Sequence, residues 1–132
     1  MSRLRLAVVA LLASLVAAVS ASAAGPPKLV GTVGPGYTTL VGTVGPDFSI
    51  KLTQDGKKVS QLKAGKYLFV INDRASIHSF ELRQMSGGTL KKELSSVSFT
   101  GTNIYTLTLE KGKYKYFCLP HQSSMFGFFS VS

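Results

Sequence analysis

Residues 112–125 read Gly-Lys-Tyr-Lys-Tyr-Phe-Cys-Leu-Pro-His-Gln-Ser-Ser-Met. The first half alternates, so that its two tyrosines and Cys118 share one face of a predicted strand, while its two lysines take the other face. The second half is a short loop that adds an imidazole, at His121, and a thioether, at Met125, to the thiol. This stretch therefore predicts an inward-facing strand that ends in a cluster of soft or borderline metal donors.

The chain has one cysteine and two histidines, so only His78 is left to complete a ligand set with Cys118, His121 and Met125. A thiolate and two imidazoles in a trigonal plane, with a weak thioether at long axial distance, are the ligands of a mononuclear blue-copper site. A single unpaired cysteine in an exported chain also fits metal ligation, because a coordinated thiolate is held away from other thiols and oxidants. The residues therefore predict one type 1 copper ion.

Each of these residues also has a structural interpretation. Cys118 could be a small core residue, His78 a hydrogen-bonded structural histidine and Met125 a packing residue beside Phe126. Zinc could take the thiolate and both imidazoles, but a catalytic zinc site would want a general base, and the loop contains no aspartate or glutamate.

From residue 47 onward, period-2 alternation is interrupted by glycine turns, with a hairpin signal at Asp55-Gly56. The pattern predicts seven or eight short strands in an all-β, antiparallel Greek-key sandwich. The predicted strands cover residues 48–53, 59–62, 67–71, 77–83, 89–94, 104–109, 113–118 and 126–131. In this scheme His78 shares the inward face of its strand with Phe80 and Leu82.

Residues 1–24 have two arginines, an apolar run from Leu6 to Val19 and small residues at the end, which predicts a secretory signal peptide. The apolar run is shorter than the ~20 residues that a membrane-spanning helix needs. A tandem repeat follows, because Leu-Val-Gly-Thr-Val-Gly-Pro occurs at residues 29–35 and again at 40–46. We therefore predict an N-terminal extension over residues 25–39, with the first copy, and one domain over residues 40–132.

Without the predicted signal peptide, 13 basic and 6 acidic side chains remain, a formal net charge of about +7. This charge favours an acidic partner or an anionic surface, although scattered lysines also serve solubility alone. No catalytic triad, phosphate-binding loop or second copper cluster is evident, so the sequence does not predict an enzyme. We expect no nucleic-acid partner and, after export, no stable membrane insertion.

The final third of the chain resembles cupredoxins of the plastocyanin, pseudoazurin and amicyanin type. The likeness is carried by the Gly-x-Tyr-x-Tyr strand at 112–116 and by the loop that follows it, and it extends over roughly residues 40–132. Residues 72–80 also resemble the segment around the upstream histidine of small exported bacterial cupredoxin-like proteins. The resemblance implies that His78, Cys118 and His121 are equatorial copper ligands and that Met125 is the axial one.

Two departures from the family pattern stand out. Three residues separate His121 from Met125, where plastocyanin-like loops have four and amicyanin-like loops two. Ser79 stands where an asparagine that braces the ligand loop commonly follows the first histidine. The reduction potential and the axial copper–sulfur distance of plastocyanin-like or amicyanin-like proteins therefore cannot be assumed for this chain.

The ligand set favours a one-electron carrier that cycles between Cu(I) and Cu(II) in the periplasm, cell envelope or extracellular space. We expect a monomer whose redox partner docks at an apolar collar around His121, formed by Leu119, Pro120, Met125 and Phe126. Lys113 and Lys115 would favour an acidic partner. Copper storage or delivery in the envelope, or a metal-free structural module, are the alternative functions.

Overall fold

The structure is a computed structural model that describes residues 36–132. The predicted signal peptide and the first copy of the repeat lie outside these residues. Within the described part, no helix reaches the length and hydropathy needed to cross a membrane.

Within residues 36–132, ten strands form two five-stranded sheets that pack face to face around one core. The strands are β1 (Thr38–Val44), β2 (Ile50–Gln54), β3 (Lys57–Lys58), β4 (Gln61–Leu62), β5 (Gly65–Asp73), β6 (Phe80–Ser86), β7 (Lys91–Ser95), β8 (Gly101–Leu109), β9 (Gly112–Phe117) and β10 (Phe126–Val131). A single 3-10 turn, Leu119–His121, follows β9. Eight of the strands have five or more residues, so the predicted all-β sandwich of seven or eight strands is confirmed.

The first sheet has the order β3-β2-β1-β5-β8, and the second has the order β4-β10-β9-β6-β7. The prediction that all strands are antiparallel is wrong at two places, because β1 pairs with β5 and β4 pairs with β10 in parallel. In both cases the chain visits the opposite sheet before it returns, and alternation within a strand carries no information about such a connection.

The second copy of the repeat supplies most of β1 and the loop that follows it. At the next turn, Asp55 and Gly56 have φ values of 49° and 78°, the left-handed conformation of a tight hairpin turn. This turn joins β2 to β3, so the predicted hairpin is present.

Tyrosine rings from β9 fill the space between the sheets next to the ligand loop. Tyr114 stacks on Phe129 with ring centroids 5.1 Å apart, and Tyr116 stacks on Phe80 at 5.8 Å. Both tyrosines are 1% exposed, as their predicted inward face requires. Because Cys118 continues this inward face, the core packing points its side chain at the end of the sandwich.

Strand β6 begins at Phe80, so the prediction that His78 lies within a strand is wrong. A turn at residues 76–77 precedes it, and the His78 N–H donates a hydrogen bond to the Ala75 carbonyl at 3.2 Å. The backbone at His78 is thus satisfied within the turn rather than in a strand ladder. The predicted burial of this side chain and of its neighbours Phe80 and Leu82 nevertheless holds.

Candidate metal centre

Three potential ligand atoms meet at one end of the sandwich. The Nδ1 atoms of His78 and His121 are 3.3 Å apart, and the Cys118 Sγ lies 3.7 Å from the first and 3.5 Å from the second. His78 comes from the turn before β6, Cys118 from the end of β9 and His121 from the 3-10 turn. The structure thus brings together two imidazoles and the only thiol of the chain, although 40 residues separate His78 from Cys118.

The size of this triangle suits a transition-metal ion. The three sides are nearly equal, so the centre of the triangle is about equally far from all three atoms. This distance is the side length divided by the square root of three, or about 2.0 Å. Bonds from a first-row divalent ion such as zinc are about 2.0–2.1 Å to imidazole nitrogen and about 2.3 Å to thiolate sulfur. His78, Cys118 and His121 are therefore positioned to bind a metal ion with little movement of their side chains.

The three residues differ in their access to solvent. His78 and Cys118 are fully buried, whereas His121 is partly exposed. No carboxylate belongs to this cluster among residues 36–132. The cluster is thus a dry group of nitrogen and sulfur donors with one imidazole at the surface.

Hydrogen bonds within the main chain hold the ligand loop closed. The Cys118 N–H donates to the Met125 carbonyl at 3.0 Å, and the Met125 N–H donates to the His121 carbonyl at 2.8 Å. The His121 N–H in turn donates to the Cys118 carbonyl at 3.1 Å. Pro120, in the first turn of the 3-10 helix, fixes its own φ and reduces the freedom of the loop further.

Ser79 joins the His78 segment to the ligand loop through two hydrogen bonds. Its N–H donates to the Cys118 Sγ at 3.4 Å, and its side-chain oxygen accepts a hydrogen bond from the Leu119 N–H at 2.9 Å. Ser79 is fully buried, so its contact with the Cys118 Sγ is shielded from water, whereas its contact with the Leu119 N–H is partly buried. The serine therefore braces the loop through its own hydroxyl, at the position where an asparagine is common in the cupredoxins that the sequence resembles.

Met125, the fourth predicted ligand, is 1% exposed and belongs to the hydrophobic core. Its main chain is fixed to the loop by the two hydrogen bonds described above. Because it is buried, it adds no surface to the apolar collar predicted around His121, which corrects that part of the prediction. Leu119, Pro120 and Phe126 are all exposed.

Two phenylalanines beside the site were not singled out by the sequence. Phe48 is 63% exposed, yet its ring contacts both imidazole rings. Phe117, next to Cys118, is only 2% exposed although it lies on the outer face of β9, because Arg83 and Lys115 cover its ring at 5.1 and 5.2 Å from the centroid. Phe117 shares this outer face with Lys113 and Lys115, and no sequence signal indicated that cations cover its ring.

Burial is the main cause of the pKa shifts of two titratable side chains near the site, Glu81 and Tyr116. Burial raises the pKa of Glu81 above its ordinary value, and the negative charge of Glu93 on the neighbouring strand adds to the effect. Hydrogen bonding to Ser79 and the positive charge of Arg83 oppose it. Burial also raises the pKa of Tyr116, and a hydrogen bond with the main chain of Leu52 opposes the effect.

Replacing Ser79 with alanine tests the brace. Without the hydroxyl oxygen, the partly buried Leu119 N–H loses its acceptor, and the loss of such a hydrogen bond costs about 0.5–1.5 kcal/mol. We expect the free energy of unfolding of metal-free Ser79→Ala, measured with urea, to fall by that amount. Ser123→Ala, at an exposed serine of the same loop, should leave it unchanged, and equal values for the two variants would contradict the assigned role.

No protein-family model and no curated protein matches the chain in sequence. Solved structures do match in three dimensions. A copper protein, rusticyanin, aligns at 19% identity over 71% of this chain and 76% of its own, with a TM-score of 0.52. Reduced rusticyanin aligns at 19% identity over 71% and 78%, with a TM-score of 0.51.

A reduced Cu(I) form of an amicyanin variant aligns at 20% identity over 76% of this chain and 87% of that chain, with a TM-score of 0.46. Residues 36–132 form two packed β-sheets, and the likeness to the two rusticyanin structures shows that the described part of the chain has the cupredoxin fold.

Proposed function

We propose that this protein binds one type 1 copper ion and carries single electrons between redox partners. The ligands are the Nδ1 atoms of His78 and His121 and the Sγ of Cys118, with the Met125 thioether as a weak axial ligand. The observation that carries the proposal is the triangle of two nitrogens and one sulfur with sides of 3.3–3.7 Å.

The chemistry of the donors favours copper over other metals. A thiolate and a thioether suit Cu(I), imidazoles accept both Cu(I) and Cu(II), and a trigonal two-histidine, one-cysteine set is typical of blue-copper proteins. Calcium and magnesium require oxygen ligands, and the cluster contains no carboxylate among the described residues. The likeness to rusticyanin, itself a copper protein, supports the same choice.

Copper bound here would supply the Cu(I)/Cu(II) one-electron couple. The protein would hold the copper ligands in place as the ion gains or loses an electron. The main-chain hydrogen bonds of the loop and the Ser79 contacts hold Cys118 and His121 in place. Burial of Cys118 and His78 excludes water from the donors. A rigid, dry site favours fast electron exchange and leaves no evident position for a substrate, so we propose a carrier rather than an enzyme.

We propose that partners approach the end of the sandwich where His121 is partly exposed. Leu119 and Phe126 are 47% and 44% exposed in the segments that flank it. On the adjoining sheet face, the Lys115 ammonium lies 5.1 Å from the centroid of the Phe126 ring and 5.8 Å from that of Phe128. An apolar surface bordered by cations fits a brief encounter between this protein, as a monomer, and an acidic redox protein.

We further propose that the protein works outside the cytoplasm, in the periplasm, envelope or medium, after removal of residues 1–24. The pattern of a charged start, an apolar run and small residues supports export. A lone thiol is compatible with an oxidising compartment here, because Cys118 is fully buried and, when it binds metal, is held away from other thiols and oxidants.

Titration of the purified protein with Cu(II) tests the proposal. One equivalent should produce an intense visible absorption from charge transfer between the Cys118 thiolate and copper, and Cys118→Ser should abolish it. A colourless mixture at one equivalent would contradict the proposed site. Copper that leaves the coloured protein for a metal-free acceptor, without reversible one-electron cycling, would favour storage or delivery instead.

The proposed role of Met125 requires a separate measurement. Replacing its thioether with the Leu side chain removes an axial donor and makes the site more apolar, which destabilises the more highly charged Cu(II), so the reduction potential of Met125→Leu should rise while its colour is kept. Met85→Leu is the matched control, because Met85 is 52% exposed on β6. If both variants keep the parent potential, Met125 is a packing residue only.

A further inference from the structure

The loop between β1 and β2 places an exposed aromatic ring directly on the metal centre. The Phe48 ring centroid lies 5.4 Å from that of His78 and 5.0 Å from that of His121, and the rings meet edge to face at 78° and 86°. Phe48 is 63% exposed, whereas His78 is fully buried. An exposed ring in contact with a buried one lies between it and water, so Phe48 covers the solvent side of the His78 imidazole, and it also packs against His121, which stays partly exposed.

The same loop fits closely against His78 through its backbone. A side chain at Gly45 would bring its Cβ to 2.9 Å from the His78 Cδ2, and Gly45 adopts a left-handed φ of 68°. The Gly45 N–H donates to the Ser49 carbonyl at 3.0 Å, which closes the loop on itself. Residues 45–49 therefore form a compact turn that packs against the His78 imidazole, and Phe48 is one of the residues of this turn.

His78 lacks the hydrogen bond that usually sets the orientation of a metal-binding histidine. In most metal sites the second ring nitrogen donates to a carboxylate, a carbonyl or a water. The His78 Nε2 is buried and has no hydrogen-bond partner among the described residues. Packing must then fix the ring, and the contacts from Phe48 and Gly45 are the ones that do so on this side.

We propose that Phe48 is a positioning residue that locks both imidazoles with their Nδ1 atoms facing the Cys118 Sγ, and that it closes the route by which a metal ion enters and leaves. Removing the ring leaves the His78 orientation unsupported and opens the imidazoles to water. The part of this inference that concerns copper rests on the proposed function, whereas the shielding of the imidazoles belongs to the metal-free chain.

The rate at which copper passes to excess EDTA tests the proposed control of metal release by Phe48. This rate is measured from the loss of visible absorption. The loss of an outer contact to a metal-binding histidine typically weakens metal binding about 10- to 100-fold, and we expect Phe48→Ala to release copper faster by a similar factor. Phe128→Ala is the matched control, because Phe128 is 53% exposed and its ring contacts Phe126 instead. Phe48→Tyr, which keeps the aromatic ring, should release copper at the parent rate.

Acylation of the metal-free protein by diethyl pyrocarbonate tests the shielding without any metal. We expect His78 to resist modification in the parent and in Phe128→Ala, and to react in Phe48→Ala, as resolved by mass spectrometry of peptides. Thermal unfolding of metal-free Phe48→Ala should stay close to that of the parent, because the side chain is largely exposed.

Parent rates of copper release and unchanged His78 protection in Phe48→Ala would overturn the proposal. A large loss of thermal stability in that variant would also overturn it, because it would show a general structural role. If the parent protein itself develops no colour with Cu(II), the proposed function fails, and the acylation result still decides whether Phe48 covers the imidazoles.

Discussion

The close approach of one sulfur and two imidazole nitrogens is the constraint on which the rest of the site depends. Two imidazole rings and a sulfur atom gain little from meeting in the dry interior of a protein, and the His78 Nε2 has no hydrogen-bond partner there among the described residues. The arrangement costs stability in the absence of a metal and becomes favourable when the three donors share an ion. The surrounding fold must therefore hold these groups together, and its packing shows how.

Strand pairing in the second sheet sets the distance between the two halves of the site. Glu81 on β6 is opposite Phe117 on β9, and just beyond this pair the Ser79 N–H donates a hydrogen bond to the Cys118 Sγ. A slip of one residue would turn the inward side chains of either strand to solvent. Burial of Tyr114 and Tyr116 on β9, and of Phe80 and Leu82 on β6, resists such a slip and so protects the geometry of the ligands.

Much of this arrangement can be predicted from the sequence, because the informative residues are local. The spacing of Cys118, His121 and Met125 and the alternation before it identify an inward thiol and a constrained loop. The parallel strand pairs, the position of His78 before its strand and the covered ring of Phe117 could not be predicted. Each depends on contacts between segments distant in sequence, which alternation within one strand does not report. The roles of Ser79 and Phe48 could not be predicted for the same reason. Neither a hydroxyl that accepts a hydrogen bond from a distant N–H nor an exposed ring packed on two imidazoles produces a periodic pattern in the sequence.

X-ray absorption at the copper edge tests the central claim most directly, because it measures the ligand atoms themselves. For the copper-loaded protein, we expect two nitrogen neighbours at about 2.0 Å and one sulfur neighbour at about 2.2–2.3 Å. These distances should change little between the oxidised and reduced forms, as a fixed triangle of His78, Cys118 and His121 requires. A shell of nitrogen and oxygen alone, without the short sulfur bond, would contradict the account.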